Sequence, residues 1–156
     1  MINISQPRHS YSCPVEAYIA QCRTALSFHH PGHPDRSASL SKLANALFAR
    51  YESGKMEDFE EVITYHREAL SLRPPGHPNR SASLSYLAGA FFARYLQFGN
   101  LKNLEEGITY YREALSLRPP GHPDRSTSLK NLACAVLTCY EQCQKPPLSG
   151  CYSTVT

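Results

Sequence analysis

Tryptophan is absent from this chain, methionine occurs only twice, and no run of about 18 apolar residues exists that would read as a membrane-spanning helix. The opening stretch MINISQPRHSYS has no apolar segment of signal-peptide length, which points to a cytoplasmic protein. With no secretion signal, the six cysteines (Cys13, Cys22, Cys134, Cys139, Cys143, Cys151) read as free thiols of a reducing compartment. The sequons at Asn3 and Asn79 then carry no meaning. A net charge of +3 is too small to name nucleic acid as a partner. Also missing are a Gly-rich phosphate loop, a nucleophile elbow and an HExxH pair, so the expectation is a protein that is not an enzyme and holds no cofactor.

What the chain does have is repetition. PGHPDRSASL begins at Pro31, returns as PGHPNRSASL at Pro75 and again as PGHPDRSTSL at Pro120, so Gly32, Gly76 and Gly121 recur at intervals of 44 and 45 residues. The extra residue falls at a turn, between Tyr95 and Gly99, where the earlier copy runs from Tyr51 to Gly54. Between the phrases lies a second motif, FEEVITYHREALSLRPPG from Phe59 and LEEGITYYREALSLRPPG from Leu104. A worn copy, VEAYIAQCRTALSFHHPG from Val15, matches it column by column. Ile19, Ile63 and Ile108 share one register; Ala25, Ala69 and Ala114 share another.

Each unit reads as a pair of helices. In the first helix Leu40, Leu43, Ala44, Leu47 and Tyr51 fall three and four apart, and Leu84, Leu87, Ala88, Phe91 and Tyr95 repeat the stripe, with Gly54 and Gly99 as stops. In the second, Phe59, Val62, Ile63, His66, Ala69 and Leu70 form the apolar face, Glu60 and Glu61 suit the first turn, and Pro74 with Pro75 end it. The quoted phrase is therefore punctuation. Pro31–Gly32, Pro75–Gly76 and Pro120–Gly121 turn the chain, and the prolines after His33, His77 and His122 suit a first helical turn, which places those histidines near caps.

LxxLA in the first helix, and EE, RxAL and a closing proline in the second, resemble the tetratricopeptide repeat. The long period and the GHPD phrase are similar to the repeats of kinesin light chains, and closer still to arrays of mushroom-forming fungi that are often joined to NTPase or CHAT domains. The resemblance spans residues 14 to 144. It implies an all-α, right-handed superhelix of about six antiparallel helices over 13–144, built of a half repeat, two full repeats and a half repeat, between flexible segments 1–12 and 145–156. It implies close helix contacts at Ala44, Ala88 and Ala133 and at Ala25, Ala69 and Ala114. It further implies a scaffold that binds a protein or peptide on a concave face shown by Ser41, Lys42, Asn45, Phe48, Ala49, Ser85, Tyr86, Gly89, Phe92, Ala93, Lys130, Asn131, Cys134 and Leu137. Lys42, Asn45, Lys130 and Asn131 would hold a ligand carboxylate or backbone, with Tyr86 as aromatic anchor. The array opens on an unpartnered second helix and closes on an unpartnered first one, which suggests a piece of a longer array or self-association through its ends.

Rival sites weigh less. His29, His30 and His33 lie within five residues, but the other copies of the phrase lack the first two, so a turn is expected rather than a metal site. Cys139 and Cys143, with Cys151 nearby, have helical metal-ligand spacing, yet Cys139 stands where Arg50 and Arg94 do, which reads as drift in the last copy. Arg36, Arg80 and Arg125 could form a ladder that tracks RNA or another polyanion; acids near each one favour pairing within the array. A third reading makes the chain a structural arm of a larger NTPase- or CHAT-type signalling protein.

Overall fold

The computed structural model describes residues 14–52 and 59–144, so Gly54, Cys13, Cys151, the sequon at Asn3 and the two terminal segments lie outside the described residues. Six helices and no strand occur among the described residues: α1 Pro14–Phe28, α2 Arg36–Glu52, α3 Phe59–Ser71, α4 Arg80–Phe98, α5 Leu101–Ser116 and α6 Arg125–Gln144. The architecture is all-α, as the periodicity implied. Packing runs along the chain, each helix against the one before and the one after, with α2 also touching α4. This is the pattern expected of a linear stack.

Local chemistry sets the boundaries. Proline occupies the first position of α1, where its missing N–H costs no hydrogen bond. Gly99 closes α4 in the left-handed region at φ 68°, its N–H donating to the Tyr95 carbonyl at 2.7 Å. Asn100 then caps α5: its side-chain oxygen accepts from the Lys102 N–H at 3.0 Å, so this helix starts at Leu101 rather than at the motif's Leu104. Gly32, Gly76 and Gly121 take φ of 94°, 89° and 90°, a conformation that favours glycine over any residue with a Cβ.

The histidines do not cap helices. The ring Nδ1 of His33, His77 and His122 accepts the backbone N–H of Asp35, Asn79 and Asp124, each at 3.1 Å, and the helices begin one residue later, at Arg36, Arg80 and Arg125. Asn79 sits at the N-cap of α4 but makes no side-chain cap bond. The His-Pro-Asp or His-Pro-Asn step is thus a side-chain-closed turn placed just ahead of the helix.

The expected stripes form the core. Leu40, Leu43, Ala44 and Leu47 of α2 and Leu84, Leu87, Ala88 and Phe91 of α4 are buried, as are Ile19, Ile63 and Ile108 in the second helices. Burying a Leu or Phe side chain is worth roughly 1.5–3 kcal/mol, so these stripes dominate the stability of the stack. Ala69 and Ala114 are fully buried as expected, but Ala25 and Ala133 are exposed. Their outer faces meet no helix among the described residues, so the small side chain there has no contact to make. Gly107 permits the closest approach: a Cβ at this position would lie 3.2 Å from the Ala88 carbonyl oxygen. The α4–α5 contact is also the most extensive among the described residues.

Candidate functional site

Two features of the repeated phrase become intelligible only in three dimensions. The first is a buried guanidinium. Arg73, at the end of α3, donates through Nη1 to Ser83 Oγ of α4 and through Nη2 to the Ser37 carbonyl of α2 at 3.0 Å. Arg118 repeats the arrangement after α5, reaching Ser81 Oγ at 3.3 Å and Ser128 Oγ. In the worn copy His29 takes this place, its Nδ1 lying 2.6 Å from Ser39 Oγ. Successive first helices are therefore tied at their N-terminal ends by a cation inserted between them. Burial lowers the affinity of the Arg73 side chain for its proton. The serines whose hydroxyls meet these groups, Ser39, Ser81, Ser83 and Ser128, are themselves buried.

The second feature is the arginine ladder. Arg36 donates to the His29 carbonyl at 2.7 Å and pairs with Glu68 at 2.6 Å; Arg80 donates to the Arg73 carbonyl at 2.8 Å and pairs with Glu113 at 2.8 Å. Arg125 bonds the Arg118 carbonyl in the same way. Other rungs join α1 to α2 through Glu16 and Arg50 at 3.0 Å, and α3 to α4 through Glu60 and Arg94. At the third step of that rail Cys139 stands in the arginine's column, opposite Glu105. Burial foremost, then Cys143 and Glu105, pushes its thiol up. Cys134 and Cys143 are exposed, and no disulfide joins the described cysteines.

His29, His33 and Asp35 bring three potential ligand atoms within 4.8 Å of one another, the rings of His29 and His33 being stacked at 4.3 Å. His33 Nδ1 already accepts the Asp35 amide, so its proton sits on Nε2 and neither nitrogen has a lone pair to offer an ion. The same bond at His77 and His122 marks it as part of the turn.

The expected groove residues separate by depth. Ser41 is buried, its hydroxyl donating to the Ser37 carbonyl at 3.0 Å, and Ser85 is half-buried with the equivalent bond to Ser81 at 3.1 Å. Phe48, Phe92 and Ala93 are partly covered by neighbouring turns, while Lys130, Cys134 and Leu137 stand exposed on α6. One strip remains open along the stack: Lys42 and Tyr86 are exposed and Asn131 half-buried in one register, with Asn45 beside Lys42 and Gly89 beside Tyr86. Gly89 leaves room over Tyr111, whose hydroxyl would lie 3.6 Å from a Cβ there and whose proton affinity burial raises to about 12. The Tyr86 ring stacks on His66 of α3 at 5.8 Å between centroids and 12° between planes.

The strip deepens at its α1–α2 end into a cleft of about 390 Å3 lined by Pro14, Val15, Tyr18, Lys42, Asn45, Ala46 and Ala49. Val15, Tyr18 and the alanines make an apolar floor, and Lys42 and Asn45 stand at its side. Lys42 has no ion-pair partner among the described residues, in contrast to Arg36 and Arg80 of the ladder. The contribution of Pro14, Val15 and Tyr18 escaped the sequence reading because the groove was drawn from first helices alone. A signal was present: Tyr18 is a large aromatic in the column that holds Val62 and Gly107 in the other copies. Among the described residues no helix is long and apolar enough to cross a membrane. No protein-family model matches the chain, and no match was found among curated proteins.

Proposed function

We infer that the chain is a non-catalytic helical-repeat scaffold, similar in plan to tetratricopeptide arrays, that binds a peptide or protein along the Lys42–Tyr86–Asn131 strip. One observation carries the reading: an apolar cleft flanked by an exposed lysine with no carboxylate partner among the described residues. An apolar side chain in the cleft and a carboxylate at Lys42 Nζ would satisfy both, with Asn45 free to bond the peptide backbone. Tyr86, steadied by His66, gives a second anchor farther along.

A displayed library of short peptides ending in a free carboxylate tests this. Binders should be recovered that compete with one another, and Lys42→Glu should weaken them about tenfold or more, since it replaces an attraction by a repulsion. Recovery of binders that ignore both Lys42→Glu and Tyr86→Ala would refute the assignment of the strip. The polyanion reading draws less support, because Arg36 and Arg80 are already held by Glu68, Glu113 and backbone carbonyls.

A further inference from the structure

The face of α6 that points away from α5 is built as an interface. Leu129, Ala133, Val136 and Tyr140 follow one another at helical spacing, and their counterparts in α4 are Leu84, Ala88, Phe91 and Tyr95. In α4 those four are buried, at 0%, 0%, 1% and 6% exposure, with α5 packed on Ala88, Phe91 and Tyr95; in α6 Leu129, Val136 and Tyr140 are 47%, 38% and 61% exposed and Ala133 is open as well. Apolar stripe and register match what α2 offers α3 and α4 offers α5.

Charge says what fits there. Helices α3 and α5 each bring two glutamates seven residues apart to two waiting arginines. Glu61 of α3 meets Arg23 of α1 at 3.0 Å and Glu68 meets Arg36 of α2 at 2.6 Å; Glu106 of α5 meets Arg67 of α3 at 3.4 Å and Glu113 meets Arg80 of α4 at 2.8 Å. The next arginines in these two series are Arg112 of α5 and Arg125 of α6. Neither has a carboxylate partner among the described residues; Arg112 is exposed, and Arg125 is bound only to the Arg118 carbonyl, the bond Arg80 also makes while holding Glu113. Two turns of helix, about 10 Å, separate carboxylates at that spacing.

Residues 1–13 and 145–156 contain neither Asp nor Glu. A second copy docking through α1 would present Ala17 and Thr24 in the two acidic columns. We propose that the open face of α6, flanked by Arg112 and Arg125, is a docking site for an amphipathic helix of another polypeptide that carries two carboxylates seven residues apart beside an apolar stripe. The site is separate from the Lys42 strip and does not depend on it.

A fluorescein-labelled peptide with the sequence of residues 101–118, LKNLEEGITYYREALSLR, is a direct probe of the full chain by anisotropy at low ionic strength. The peptide should bind; Arg112→Glu should weaken it about five- to tenfold, through one lost pair and one new repulsion. A peptide with Glu106→Arg should recover the affinity of that variant, and Lys42→Glu should change nothing. Arg112 is exposed, so circular dichroism of the variant should match the parent. Absence of binding, indifference to Arg112→Glu, or sensitivity to Arg67→Glu instead, which would mean the peptide displaces the resident α5, overturns the proposal. So does sedimentation showing a dimer that Leu129→Arg converts to monomer, since a second copy would then own the face.

Discussion

Acid should loosen this protein through a single side chain before most carboxylates titrate. His66 lies in α3 at 2% exposure, its Nδ1 has no hydrogen-bond partner, its ring is stacked under Tyr86, and the buried Arg73 guanidinium lies near it. Burial first and Arg73 second push its pKa down from 6.5 to about 4. A histidine depressed in the folded state favours folding only while neutral, so its contribution is complete above pH 6.5 and is lost as pH falls toward 4. At about 1.36 kcal/mol for each pH unit of difference, the full loss is about 3 kcal/mol, and most of it should be gone by pH 4.5. Urea denaturation of the parent and of His66→Gln between pH 7.5 and pH 4.5 measures it. The glutamate pairs titrate in both proteins and cancel in the comparison, whereas glutamine has no proton to gain. Parallel stability curves for the two proteins over that range would refute the reasoning.

Leu87, fully buried in α4, should cost about 2–5 kcal/mol when truncated in Leu87→Ala, read by urea midpoint. Ala88→Arg should unfold or aggregate the chain, seen as loss of the helical circular dichroism signal or of the monomer peak in gel filtration, because a charged side chain cannot replace a methyl group in a fully buried contact. Gly107→Val, which imports the residue that α3 carries at the same register, should destabilise by about 1–3 kcal/mol in the same urea assay, since the Ala88 carbonyl cannot retreat from a Cβ at 3.2 Å. Oligonucleotide affinity that falls steeply with salt would favour the polyanion reading of the arginines, and none is expected at modest salt.

The helices and their inward faces were legible because the chain states them more than once: Leu40, Leu84 and Leu129 occupy one register, and two of the three are buried as periodicity requires. The third shows why the rest was not. A side chain's letter says which neighbour it suits, not whether that neighbour is present, so Leu129 and Ala133 look identical to their buried counterparts until the structure places open space beside them. Arg73 and Arg118 were hidden for a different reason. Arginine is rarely buried, and only the convergence of Ser37, Ser81, Ser83 and Ser128 from separate helices makes burial tolerable. The histidine turns fall between these cases: their recurrence was visible, but whether the ring serves the turn or the helix depends on one ring nitrogen and one amide. Tyr18 joined the cleft unannounced because α1 contributes a second-helix surface to a groove drawn from first helices.

Because packing is concentrated between helices adjacent along the chain, stretching the molecule between α1 and α6 should not meet one large barrier. Helix pairs would give way in turn, each releasing a short length at modest force and snapping back when slackened. The stack would behave under load as a soft spring.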